Sequence, residues 1–341
     1  LFEDNAEFGL GILLGMREHH THATRLAQQF APQLGDTLVK GLLESDQHGE
    51  KAVAEQRARV TELRRLLKPI SDPKARLLEG LADYLVRKTV WILGGDGWAY
   101  DIGYGGLDHV LSLPYDIRIL VLDTEVYSNT GGQASKSTPV GASAKFAAAG
   151  KGTQKKDLGL MAMSYRNAYV ASIAFGSNDN HTVKAFMEAE SYPGPAIIIA
   201  YSHCIAHGYD LKNGLEQQKL AVNTGVWPLY RYDPRLVEQG KPPLQIDSGA
   251  IKNPVTDYLR NETRFAMVEK IDPKRFRELS IASVRNTAQR LALYKELSQI
   301  SLPMEASNGT AAAAPAGNGT SAPAGNGNTP APAPANRITT N

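Results

Sequence analysis

Two stretches of this sequence have the residue types and spacing to do chemistry together. They are Gly95-Asp96-Gly97 and Asp123-Thr124-Glu125-Val126-Tyr127-Ser128-Asn129. An aspartate is a hard oxygen ligand, and the glycines beside it let backbone approach a phosphate closely. The second stretch offers hydroxyl, amide and main-chain oxygens to the same cation. A lone Gly-Asp-Gly is a common turn. Each stretch, however, follows a short apolar run that reads as a strand, and the pair therefore reads as a metal–diphosphate site.

The flanking pattern supplies the elements that would position them. Thr89 to Gly94 is a run short enough for a buried strand and stops at glycine. Gly103 to Leu113 has helix-like apolar spacing, and Ile117 to Leu122 is a second strand candidate. Strand, turn, helix, strand over this length predicts a βαβ unit, whose parallel strands bring both motifs to one sheet edge. Ligands in such sheets bind beyond the carboxyl ends of the strands. Magnesium suits the donors, because it takes near-octahedral oxygen ligands and shares phosphate oxygens.

The bulk numbers set bounds. The 341 residues suffice for one large or two ordinary domains, with 42% hydrophobic and 21% charged residues as in soluble globular proteins. A net charge of +2 gives no electrostatic case for nucleic acid or an acidic membrane. No apolar stretch is long enough to span a bilayer. The start, Leu1-Phe2-Glu3-Asp4-Asn5, has no initiator Met and no signal-peptide pattern, and reads as the interior of a longer chain. One cysteine excludes an internal disulfide framework and any all-cysteine metal cluster built from this chain alone.

Along the chain, residues 1–88 read as a helical lead-in. Lys51 to Lys68 is an expected amphipathic helix with Val53, Val60, Leu63 and Leu67 on one stripe, and Leu77 to Val86 is a second periodic stretch. Residues 89–235 alternate strand and helix, with further strands expected at Ala168–Phe175, Ala196–Ala200 and Val226–Tyr230. Helices are expected at Thr182–Glu190, after an Asn178-Asp179-Asn180 cap, and at Leu215–Val222. Gly131 to Gly159, rich in Gly, Ala, Ser, Thr and Lys, reads either as a functional loop or lid or as a surface excursion. Residues 236–302 are an extension, Pro- and Gly-bearing surface loop up to about 260 and then helix-like to Leu297. Residues 303–341 collapse to Ala, Pro, Gly, Asn and Thr and are expected to be disordered. The fold class expected is α/β, a mostly parallel sheet flanked by helices. Two His groups are weaker signals. His19, His20 and His22 read as a solvated helix face. His203, Cys204 and His207 follow an apolar run where a strand leaves the sheet, and read equally as site residues or as a buried cysteine with neighbours.

Four longer strings resemble one family. They are Leu1 to Gly9, Gly95 to Gly103, Leu122 to Gln133 (LDTEVYSNTGGQ) and Ala200 to Gly208 (AYSHCIAHG). Together they resemble the last catalytic region of the pyruvate:ferredoxin (flavodoxin) oxidoreductases, over residues 1 to about 302. The resemblance implies a thiamine diphosphate-binding fold in an enzyme that converts pyruvate and coenzyme A to acetyl-CoA and carbon dioxide. Electrons leave through [4Fe–4S] clusters to ferredoxin or flavodoxin. By position, the resemblance implies that Asp96, Thr124 and the Val126 carbonyl ligate Mg2+. It implies that Gly95, Asp96, Gly97 and Trp98, with Thr124, Glu125, Val126, Tyr127, Ser128 and Asn129, hold the cofactor. Asn129 would also face the reacting centre as the catalytic residue. Cys204 resembles the fourth ligand of a cluster whose other thiolates lie outside this chain.

The same resemblance implies half an active site and a fragment inactive by itself. A homodimer is expected, and the low-potential clusters suit an anaerobic cytoplasm, with an organelle as the alternative. Other readings stay open. One is a relative using another 2-oxo acid, one is a fragment of a pyruvate:NADP oxidoreductase, and one is a non-catalytic thiamine diphosphate-binding domain.

Overall fold

The computed structural model describes residues 3–302; the tail expected over 303–341 lies outside the described residues. Six strands form one sheet in the order β1-β2-β4-β3-β5-β6. They are β1 (Trp91–Gly95), β2 (Arg118–Asp123), β3 (Tyr169–Ile173), β4 (Ala196–Tyr201), β5 (Tyr230–Tyr232) and β6 (Leu244–Ile246). The first four are parallel to one another. β5 and β6 run antiparallel at one edge. Parallel strands buried on both faces need near-continuous apolar sequence. Ile197-Ile198-Ile199 and Tyr169-Val170-Ala171 supply it, and all six are buried.

Helix α1 (Asn5–Gln29) runs from the sheet into a separate helical core. Its first half buries Ala6, Leu10 and Leu13 against the sheet, and Gly9 lies flush on Ile92. Its second half joins α2 (Ala31–Leu34), α3 (Asp36–Glu44), α4 (Gly49–Leu67) and α5 (Pro73–Leu81) around Leu42, Leu63, Leu67 and Leu78. The expected α4 stripe is present, although Gln56 rather than Val53 is its buried upper member. Gln56 is tolerated there because its amide nitrogen donates to the Leu42 and Leu85 carbonyls at 2.8 and 3.0 Å.

Helix α6 (Tyr104–Ser112) crosses from β1 to β2. It is followed in the chain by α7 (Leu158–Met163), α8 (Asp179–Ser191), α9 (Gly214–Asn223), α10 (Val255–Asn261), α11 (Thr263–Ile271) and α12 (Pro273–Leu297). Asn178 caps α8, accepting from the His181 amide at 2.9 Å, as the sequence suggests. Two expectations fail. The strand expected at Val226–Tyr230 forms at Tyr230–Tyr232 instead. The surface loop expected over 236–260 contains β6 and α10, with Leu244, Tyr258 and Leu259 buried. β6 is a three-residue edge strand held by pairing with β5, and nothing that short carries a periodic signature.

Candidate functional site

β1, β2 and β4 end side by side, so the segments leaving them share one sheet edge. The Asp123 carbonyl accepts the Ser202 amide at 2.9 Å, which continues the β2–β4 ladder past the strands. Asp96 is 1% exposed and lies beneath the turn after β2. Its Oδ1 accepts the Thr124 amide at 3.2 Å and the Thr124 hydroxyl at 2.7 Å, and its Oδ2 accepts the Ser135 hydroxyl at 3.0 Å. The Thr124 Oγ1 also lies 3.0 Å from the Val126 carbonyl. Thus Thr124 Oγ1 stands within 3.0 Å of both of the other oxygens that the resemblance names. Neighbouring ligands of an octahedral Mg2+ at 2.0–2.1 Å stand about 2.9 Å apart, close to the two separations seen. Burial, and next the nearby Asp123, raise the Asp96 pKa to about 7. No cationic side chain touches Asp96 among the contacts described, although Lys155 pulls on it from a distance. The donor set therefore fits a hard divalent cation. It is mixed, with one carboxylate, and no group of three His, Cys, Asp or Glu residues able to hold a metal occurs among the described residues.

The glycines divide in their roles. A Cβ on Gly95 would meet nothing closer than the Leu122 carbonyl at 4.0 Å, so this backbone faces open space that a ligand can occupy. A Cβ on Gly97 would lie 2.5 Å from the Tyr127 ring, so that glycine serves packing of the two turns. Trp98 departs from expectation. Its indole is buried against Gly94 and Gly103, where Cβ atoms would sit within 2.4 and 2.1 Å of it. Its side chain is core, and only its backbone is left to face a ligand. Tyr127 donates to the Gly97 carbonyl at 3.4 Å. Bonds from the Tyr127 amide to Gln133 and from the Gly132 amide to Tyr127 close a tight loop, with Ser128 and Asn129 exposed on it.

Glu125 also departs from the expected role. It is 1% exposed and its carboxylate points away from the oxygen cluster, to Lys155 Nζ at 2.9 Å and Arg264 Nη2 at 2.7 Å. Lys155 bridges on to Asp123 at 2.8 Å, and Arg264 to Glu262 at 2.6 Å. Burial alone would raise the Glu125 pKa, but Lys155 and Arg264 outweigh it and hold it at about 2. Glu262 moves the other way, raised by burial against the pull of Arg264. This alternating chain of buried charges is stable only while every member keeps its partner. Sequence reading missed Lys155, Arg264 and Glu262 because Glu125, which joins them into one chain of charges, is 30 and 139 positions from Lys155 and Arg264. Ser135, Ser137, Thr138 and Lys155 all come from the 131–159 segment that composition singled out. They anchor that segment beneath the site through Asp96, Asp123 and Glu125.

Beyond β4, Cys204 is free and buried, with Sγ accepting the Ala206 amide at 3.4 Å. It opens a short 3-10 turn, Ile205–His207. His207 is fully buried and its Nε2 meets the Thr124 carbonyl at 2.7 Å. Burial, then Arg264, lower its pKa to about 3, so the ring is neutral. Of the first group of histidines, His19 packs at a tilt of 45° beside the Tyr84 ring, His20 contacts the Tyr84 carbonyl at 2.8 Å, and all three residues are exposed.

No family model matches the chain. It is 57% identical over 302 residues to the pyruvate-flavodoxin oxidoreductase of Rhodospirillum rubrum, covering 88% of this chain and 25% of the relative. It is 43% identical over 306 residues to the pyruvate:ferredoxin oxidoreductase of Moorella thermoacetica, covering 88% and 26%. The same identity over 306 residues relates it to the mitochondrial pyruvate dehydrogenase [NADP(+)] of Euglena gracilis, covering 87% and 17%. The chain spans about a quarter of the length of the first two. It is thus homologous to one segment of the pyruvate-flavodoxin and pyruvate:ferredoxin oxidoreductases.

Proposed function

We propose that this chain forms one wall of the thiamine diphosphate site in a pyruvate:flavodoxin (or ferredoxin) oxidoreductase. The convergence of Asp96 Oδ1, Thr124 Oγ1 and the Val126 carbonyl supports the reading most directly. In it, these three oxygens hold Mg2+, and the open backbone at Gly95 to Gly97 receives the diphosphate. Asn129, at the exposed loop after Tyr127, orients the substrate. Bound thiamine diphosphate supplies the electron sink for decarboxylating a 2-oxo acid. Cys204 gives one thiolate to a [4Fe–4S] cluster whose remaining ligands come from elsewhere in the protein. Pyruvate and coenzyme A are the substrates, the intact enzyme is a homodimer, and its setting is an anaerobic cytoplasm. No helix among the described residues is long and apolar enough to cross a membrane. Flavodoxin or ferredoxin accepts the electrons. NADP is the second choice, because one relative of 43% identity is named for it.

The test is pyruvate-dependent acetyl-CoA formation by the intact protein, followed with flavodoxin, ferredoxin and NADP as acceptors. Asp96→Asn should abolish Mg2+-dependent thiamine diphosphate binding, and Asn129→Ala should lower kcat while cofactor binding persists. Turnover by residues 1–302 alone would contradict the half-site reading. Cofactor affinity unchanged in Asp96→Asn would contradict the metal assignment.

A further inference from the structure

The segment Thr124-Glu125-Val126 has an unusual conformation that the proposed cation site uses. Glu125 has φ +60, a left-handed backbone that a residue with a long side chain seldom adopts. It persists because the polar groups around it are tied down. The Glu125 amide donates to Asp123 Oδ1 at 3.0 Å, and its carbonyl accepts the Thr138 hydroxyl at 2.7 Å. Its carboxylate is fixed at both oxygens by Lys155 and Arg264. The preceding carbonyl, Thr124 O, is taken by His207 Nε2 at 2.7 Å. A carbonyl only accepts, so Nε2 carries the proton. Two successive carbonyls are thereby turned into the protein. The next one, Val126 O, meets the Thr124 hydroxyl that also reaches Asp96.

We infer that His207 and Glu125 are positioning residues for the cation. They touch none of it, but they turn the Thr124 hydroxyl and the Val126 carbonyl to the side of the Asp96 carboxylate. This rests on the proposed cation site and adds the device that shapes it. It also gives the histidine after Cys204 a function of its own: the turn that begins with the cysteine is the turn that holds Thr124 in place.

The experiment measures Mn2+ binding by electron paramagnetic resonance in the intact protein, with Mg2+ as competitor. Variants are Asp96→Asn, His207→Leu, His207→Gln and Glu125→Gly. His207→Leu removes the donor and should weaken Mn2+ binding about tenfold or more and alter the Mn2+ line shape. His207→Gln keeps an amide N–H within reach and should restore most of both. Glu125→Gly removes the backbone strain along with the two charge contacts. A binding loss there therefore shows that the held conformation of this residue matters to the cation. Parent-like Mn2+ affinity in both His207→Leu and Glu125→Gly, with Asp96→Asn binding none, overturns this inference alone. Failure of the parent to bind Mn2+ saturably overturns the cation site and this inference with it. Should His207→Leu fail to fold, Glu125→Gly decides the matter, a parent-like affinity and line shape there refuting the positioning role.

Discussion

Raising the pH from 6 to 8 should weaken the cation-free protein and strengthen its grip on Mg2+, and both effects trace to Asp96. The Asp96 carboxyl has its pKa at about 7 against an ordinary 3.8, because burial and Asp123 disfavour its charge. A carboxyl whose folded pKa lies above the unfolded one binds its proton more tightly when folded. Its stabilising contribution is fully present below about pH 3.8 and is lost as the pH rises through 7. Between pH 6 and 8 the loss is about 1.4 kcal/mol, since 2.303RT is about 1.36 kcal/mol per unit. Over the same interval the ionised fraction of Asp96 rises about tenfold, and the affinity for a cation competing with that proton should rise in step. Asp96→Asn is the reference, because it keeps the shape and removes only this titration. Subtracting it cancels the groups that do not interact with Asp96, His207 included. Urea unfolding of parent and variant in the presence of chelator should show the difference between them shifting by about 1.4 kcal/mol from pH 6 to pH 8. The variant should be the more stable of the two at pH 8, and Mg2+ should stabilise only the parent. A parent-minus-variant difference that is the same at both pH values would refute the reasoning, as would a Mg2+ affinity that does not change between them.

Lys155→Met should cost about 3–5 kcal/mol in urea unfolding, because it leaves Asp123 and Glu125 buried without the cation between them; a cost under about 1 kcal/mol would mean that water reaches the pair. Gly97→Ala should destabilise by about 1–3 kcal/mol, since its Cβ would press on the Tyr127 ring at 2.5 Å. Gly95→Ala, with open space before it, should leave the unfolding midpoint nearly unchanged and weaken thiamine diphosphate binding; the reverse order of the two glycines in a melting experiment would contradict their assigned roles. Cys204→Ala in the intact protein should remove one [4Fe–4S] signal from the paramagnetic resonance spectrum and spare the others, and a full complement of clusters would refute the ligand role.

Much of the sheet is legible in the sequence because its central strands are buried on both faces. Ala196 to Ala200 is apolar without interruption and Ile117 to Leu122 is broken only by Arg118, and the observed β2 and β4 lie within a residue or so of them. That the two motifs meet is legible for a related reason, whereas the choice of Asp96, Thr124 and Val126 within them rests on the family resemblance. In a parallel sheet the residues after neighbouring strands must meet, and β1 pairs directly with β2. What could not be read is what lies across the fold. Arg264 and Glu125 are 139 positions apart yet 2.7 Å from one another. Nothing in the local sequence of Glu125 separates a solvent-facing carboxylate in a motif from a buried one. Trp98 fails for a similar reason. It sits inside a motif, but Gly94 and Gly103 leave a slot that its ring fills. The strand β6 is short and held by a partner, so its own residues carry no period.

Asp96 and Asp123 pose a final question, because by sequence they are near equivalents, each closing a parallel strand at the same sheet edge. Both are buried. Asp123 is surrounded by the Tyr100 hydroxyl at 2.7 Å, the Ser137 hydroxyl, the Glu125 amide and the Lys155 ammonium. Asp96 has neutral donors only. Charge balance gives the difference a use. One free carboxylate with a divalent cation leaves one positive charge over, which attracts a diphosphate. A second free carboxylate would neutralise the cation's remaining charge and weaken its pull on the phosphate oxygens, which magnesium sites of this kind use as ligands. Lys155, by occupying Asp123, keeps the site at one anionic ligand. It follows that Lys155→Met should damage cofactor binding beyond its effect on stability. In that variant Mn2+ should bind as tightly as in the parent or more so, while thiamine diphosphate binds less. Loss of both in proportion to unfolding would mean that Lys155 does no more than hold the fold.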